Sequence, residues 1–172
     1  MNYEYPIEQF ARSARTQFQL GFARMTMMLM PDFDDVVLEP SAQGLKILGA
    51  SEMALASPGE VIRRIHSSEV DFGEPRVRLL YGMKVCEPVM WVRASIGHKY
   101  AEGVVQELIQ RNAEIEEIDW VPPRPEVLAK APLRSLLGYP QALASLSQNT
   151  ADLKMWLSHY AAIPSGPDND AA

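Results

Sequence analysis

From Val85 to Tyr160 the spacing of apolar residues alternates between two periods, and that order restricts the fold more than any other feature of the chain. Around Val89-Met90-Trp91-Val92 the pattern suits a strand over residues 85–95. Over residues 100–110, Val104, Val105, Leu108 and Ile109 share one side of a helix. Strand patterns follow over residues 113–120 and 127–133, separated by the turn Pro122-Pro123-Arg124-Pro125. Residues 133–146 read as a helix with Pro140 near its middle or at a break. Over residues 152–160, Leu153, Met155, Leu157 and His159 alternate with Lys154, Trp156, Ser158 and Tyr160, a final strand. The order β-α-β-β-α-β defines a split βαβ unit, an antiparallel sheet with two helices on one face.

The first half reads almost the same way. Ile7, Phe10, Ala14, Phe18, Phe22, Met25 and Leu29 recur every three or four residues, which predicts an amphipathic helix over residues 7–29, closed by Pro31. A strand at 33–39, the turn Pro40-Ser41-Ala42-Gln43-Gly44 and a strand at 45–48 make a hairpin. A helix follows to residue 66, with Ser57 as its expected cap. Residues 75–81 alternate as a closing strand, and residues 2–5 supply a short opening one. The fold class expected is therefore α+β: two tandem ferredoxin-like split βαβ domains, residues 1–81 and 83–163, with residues 164–172 a flexible tail.

At 172 residues there is no room for a large multidomain enzyme. No basic stretch precedes an apolar run at the start, and no run reaches the ~18 apolar residues of a membrane span, so a cytoplasmic protein without a membrane partner is expected. A net charge of −6, shared as −3 by each half, argues against nonspecific nucleic-acid binding. Catalytic and cofactor patterns are missing from the sequence. Gly44-x-x-x-x-Gly49 is followed by Ala50, which supplies no phosphate-binding lysine. His66, His98 and His159 lack metal-ligand spacing, and lone Cys86 reads as buried and inert. Glu114, Glu116, Glu117 and Asp119 read as a solvated strand face. Met25, Met27, Met28 and Met30 continue a helical apolar face and read as core or interdomain packing. No catalytic, cofactor or metal residue is therefore assigned.

Specific motifs in the second half resemble the C-terminal domain of elongation factor G and related translational GTPases. They are Glu87-Pro88-Val89-Met90; Gly103-Val104-Val105 with Leu108, Arg111 and Ile115; Pro132-Leu133 with Leu136-Leu137-Gly138-Tyr139; and His159-Tyr160-Ala161-Ala162-Ile163-Pro164. The first half is similar, more weakly, to that family's domain III through Gly49-Ala50-Ser51-Glu52-Met53-Ala54-Leu55 and Gly73-Glu74-Pro75-Arg76-Val77. Several family glycines are replaced here, near Asn112-Ala113 and across Gln148-Asn149-Thr150-Ala151-Asp152, and the usually arginine-rich helix keeps only Arg111. The resemblance implies a non-catalytic binding module whose partner is the ribosome or a translation factor, or alternatively a protein–protein adaptor that kept the scaffold. Arg63, Arg64, Arg93, Lys99, Gln110, Arg111 and Asn112 are the candidates for a partner or RNA surface; Trp91, Trp156 and Tyr160 are those for a protein interface. Without a phosphate loop, the chain is expected neither to bind nor to hydrolyse GTP; saturable heat on titrating GTP into the protein in a calorimeter would contradict this.

Overall fold

The computed structural model describes residues 3–121 and 123–163. In chain order the elements are β1 (Ile7–Ser13), α1 (Gln19–Leu29), β2 (Val36–Ser41), β3 (Gly44–Gly49), α2 (Ala56–His66), β4 (Val70–Phe72), β5 (Arg76–Val77), β6 (Leu80–Tyr81), β7 (Val85–Ser95), α3 (Ala101–Gln110), β8 (Glu114–Asp119), β9 (Glu126–Pro132), α4 (Leu133–Leu136), α5 (Tyr139–Leu146) and β10 (Asp152–Ala162). The first sheet runs β2-β3-β1-β4, with β5 also on β1; the second runs β10-β7-β9-β8, with β6 also on β7. Every pairing is antiparallel. Each sheet has the strand order of a split βαβ unit, so the chain is α+β with two ferredoxin-like domains.

Packing follows the alternation. In the second domain Met90, Val92 and Ala94 of β7 and Val127, Ala129 and Ala131 of β9 are buried, facing Val104 and Leu108 of α3 and Leu133, Leu136, Tyr139 and Leu143 of α4–α5. In the first, Ile7 and Ala11 of β1 and Leu45 and Ile47 of β3 are fully buried, with Phe22 and Ala23 of α1 and Ile62 of α2 also in the core. A hydrogen bond between helix α5 and the first domain ties the two together: the Gly138 amide donates to Glu52 Oε2 at 2.8 Å. Gly138 precedes α5 and has φ +73°, so the Glu52 carboxylate sits where the helix exposes amide hydrogens.

Five local expectations need correction. Residues 7–13 are strand, not the first turns of a helix, because pairing with β3, Ile7 to Gly49 through Ala11 to Leu45, satisfies their backbone and buries both ends. The Gln19 side chain then bridges the strand–helix turn: its Oε1 accepts from Ser13 N at 2.9 Å and its Nε2 donates to Ser13 O at 3.0 Å. The expected opening strand at residues 2–5 is not formed at Tyr3 and Glu4, which lie in a turn, and Asn2 lies outside the described residues. The strand expected over 75–81 is divided. Val70–Phe72 closes the first sheet beside β1, residues 76–77 pair with Glu8 and Ile7, and residues 80–81 pair with Cys86 and Val85 of the second sheet. Ser57 does not cap α2; the helix starts one residue earlier without a side-chain cap, and Ser51 Oγ accepts from the Ala54 amide instead.

The methionines are the fifth correction. Met25 and Met28 are 67% and 83% exposed rather than packed in a core. The inward stripe of α1 is Phe22, Ala23 and Thr26, and Thr26 Oγ1 is satisfied by Phe22 O and by His66 Nε2, each at 2.8 Å. The break in the 133–146 helix falls at Leu137-Gly138, and Pro140 opens the second piece, where its missing amide costs no hydrogen bond. The expected tail at residues 164–172 and Pro122 of the proline turn lie outside the described residues.

Tyr139 is buried with an unpartnered hydroxyl. Burial pushes its pKa well above the ordinary 10.0; Glu107 adds to the rise and Arg111 partly offsets it. A folded-state pKa raised above the unfolded value contributes stability that is complete below pH 10 and lost as pH climbs through the folded value. Chemical denaturation should therefore show stability falling above pH 10. Tyr139→Phe should flatten that fall and, by removing an orphaned buried hydroxyl, cost less than about 1 kcal/mol at pH 7.

Candidate functional site

Two surfaces of the second domain bring together side chains with chemistry to offer. The first is the sheet face away from the helices. Trp91 of β7 lies opposite Trp156 of β10, and their rings stack with centroids 6.2 Å apart. Lys130 of β9, also opposite Trp91, sets its Nζ 4.1 Å from the Trp91 ring centroid and pairs with Glu116 Oε1 at 2.7 Å. Arg93, two residues along β7, pairs through Nη2 with Glu126 Oε2 at 2.7 Å. Trp156 is 42% exposed, so the pair offers a flat aromatic surface. Tyr160 is not part of it. An irregularity between Leu157 and His159 shifts the register, which sets Tyr160 opposite Pro88, and its hydroxyl donates to Tyr3 O at 3.1 Å. Burial raises the Tyr160 pKa, partly offset by Arg78.

The second surface is a loop cluster where β7 ends, β9 begins and β10 begins. Ile96 N donates to Pro125 O at 3.0 Å, and Tyr100 donates its hydroxyl to Gln148 Oε1 at 2.8 Å. Arg124 joins all three segments: Nη1 pairs with Asp152 Oδ2 at 2.9 Å, and Nη2 donates to Ser95 O and Thr150 O. On the rim the His98 and Trp120 rings stack 6.2 Å apart, and Lys99 reaches over the Tyr100 ring at 4.6 Å. Gln148 and Asn149 both hold the left-handed region, at φ 53° and 59°. Two successive non-glycine residues there store strain that the wiring around them must sustain.

The seven cationic and polar candidates do not converge. Arg63 and Arg64 are exposed on α2 of the first domain, where Arg63 lies 4.5 Å from the centre of the Phe72 ring. Arg93 belongs to the open sheet face and Lys99 to the loop cluster. Gln110, Arg111 and Asn112 are at the other end of α3, about 15 Å along a ten-residue helix. There Asn112 takes the left-handed turn (φ 58°) that closes the helix, a conformation asparagine tolerates. Arg111 is committed within the fold. Its Nε pairs with Glu107 Oε1 at 2.7 Å, and Nη1 donates to Ser135 O and Leu137 O, each at 3.0 Å. Those carbonyls flank the α4–α5 break, so the guanidinium holds it in place. Glu87 is likewise structural: buried beneath α4, it pairs with Arg134 Nε at 2.9 Å.

His98, Trp120, Arg124 and the Gln148-Asn149 turn had no separate sequence signal, except that the turn lacks glycine where the chain reverses. No group of three or more His, Cys, Asp or Glu poised to hold a metal occurs among the described residues, and no described helix is long and apolar enough to cross a membrane.

Two tandem ferredoxin-like domains define the scaffold as a pair of α+β split βαβ units. The family model for the elongation factor G C-terminus matches residues 84–171, just over half of the chain, and the chain belongs to that family. Among solved structures it is similar in fold to a protein from Thermus thermophilus, at a TM-score of 0.67 and 13% identity. That likeness covers 92% of this chain but 41% of the other, so the chain spans less than half the length of that relative.

Arg111→Ala should destabilise the protein by about 2 kcal/mol, since it removes charge-assisted bonds to two carbonyls and a partner carboxylate. Lys99→Ala should stay within about 0.5 kcal/mol of the parent, as an exposed side chain whose contact among the described residues is the cation–π one to Tyr100. Urea denaturation of both variants checks the contrast.

Proposed function

We propose that this chain is a non-catalytic binding module that engages the ribosome or a ribosome-bound translation factor in the cytoplasm, through the loop cluster of its second domain. Membership of the elongation factor G C-terminus family across residues 84–171 carries the reading. The loop cluster suits a contact role: Lys99 supplies a positive charge free of carboxylate partners among the described residues, His98 and Trp120 supply stacked ring faces, and the strained Gln148-Asn149 turn is exposed beside them. Cations position a phosphate backbone, and ring faces stack on unpaired bases. The domain limits proposed for this module are residues 1–81 and 83–163.

A second reading, a protein–protein adaptor, is favoured by one observation. The Trp91–Trp156 stack lies on a sheet face that no helix of its own domain covers. Aromatic side chains of that kind anchor protein interfaces.

The two separate on salt and on site. Cosedimentation with purified ribosomes should weaken as salt is raised, and Lys99→Glu should lower affinity and reduce the log–log salt slope by about one or more. Binding that ignores salt and Lys99 but is lost on Trp156→Ala would select the adaptor.

A further inference from the structure

Strand β8 ends the second sheet: in the order β10-β7-β9-β8 it pairs with β9 on one side, and no described strand pairs with the other. Alternate backbone N–H and C=O groups therefore point outward unpaired, a template for another strand. The pleat sorts its side chains between two faces. Glu114, Glu117 and Asp119 lie opposite Lys130, Leu128 and Glu126 of β9, on the open sheet face. Ile115 and Ile118 lie opposite the buried Ala129 and Val127, on the helix side. Trp120, two residues past Ile118, continues that side and is 49% exposed.

Along this edge runs an open groove of about 360 Å³, lined by Ile118 and Trp120 and by Glu102, Val105 and Gln106 of α3. Acidic and apolar groups share it directly: Glu102 is part of its wall, and Glu117 and Asp119 flank Ile118 in the chain. Glu102, Glu114, Glu117 and Asp119 are exposed, and none forms an ion pair among the described residues, whereas Glu116 is held by Lys130. We propose that β8 accepts an extended basic segment of another protein as a further strand, its lysines or arginines beside Glu114, Glu117 and Asp119 and its alternate apolar residues over the groove. Geometry requires that alternation, because a strand added to a sheet shares the two faces of its neighbour. Main-chain bonds supply affinity, and the groove supplies selectivity. Charge argues against the other occupants. A second copy adding its β8 to this one would set carboxylates against carboxylates. Residues 164–172 of this chain carry Asp168 and Asp170 and no lysine or arginine. Nucleic acid is repelled by the same carboxylates. Such a strand can bind whether or not the loop cluster engages a ribosome.

The probe is a fluorescently labelled peptide of about seven residues alternating lysine and valine, set against a permuted peptide that groups its lysines apart from its valines. Anisotropy with the intact chain should show saturable binding at least about tenfold tighter than that of the permuted control. Hydrogen exchange of residues 114–119 should slow when the peptide is added. Glu114→Gln with Glu117→Gln should weaken binding several-fold and flatten its salt dependence. Gln106→Trp, which fills the groove without changing charge, should weaken it about tenfold. All three positions are exposed, so unchanged circular dichroism is expected. Trp156→Ala, three strands away on β10, should leave binding unchanged. Absent binding, equal binding of the permuted peptide, unchanged exchange in β8, or indifference to either variant set overturns the proposal. Absent binding together with self-association of the double glutamine variant overturns it too, and assigns the carboxylates to shielding a bare edge.

Discussion

Strand β7 is the constraint on which the second domain depends. Over eleven residues it pairs with β10 on one edge and with β9 and β6 on the other, which leaves its backbone bonded along most of its length. Side chains on a strand alternate, so once Met90, Val92 and Ala94 are committed to the helices, Trp91 and Arg93 must face the other way. Register then carries Trp156 and Lys130 to the same place. A one-residue slip would bury Trp91 and Arg93 and expose the core.

The second domain was legible in the sequence because its periods are long and uninterrupted. The strands at 85–95 and 152–162, α3, and the break in the following helix differ from expectation by a residue or two. The first half was harder for a physical reason. Ile7, Phe10, Ala14 and Phe18 keep helical spacing by coincidence, whereas the decisive information, that β3 waits to pair with residues 7–11, is non-local. Two further features were not legible. Spacing identifies a stripe of methionines but not whether anything covers it. A lone arginine at a helix end looks like a surface charge until two backbone carbonyls from 24 and 26 residues away come within 3.0 Å of it.

Three non-glycine residues of the second domain hold a backbone conformation suited to glycine. Asn112, Gln148 and Asn149 all have φ between 53° and 59°, the conformation that glycine adopts at least cost. For other L-residues the left-handed region costs roughly 1 kcal/mol or more, least for asparagine. That cost falls on loops at the ends of the second domain. Side chains there, with Tyr100 bonded to Gln148, form the surface that those loops present.

The central claim is that a preserved elongation factor G-type scaffold makes its principal contact through the loop cluster. Hydrogen–deuterium exchange of the intact chain, alone and with saturating ribosomes, tests it most directly. Slowed exchange confined to residues 96–100, 120–125 and 147–151 is the predicted result. Exchange unchanged in those loops, with protection instead along the strands bearing Trp91 and Trp156 or nowhere at all, would contradict it.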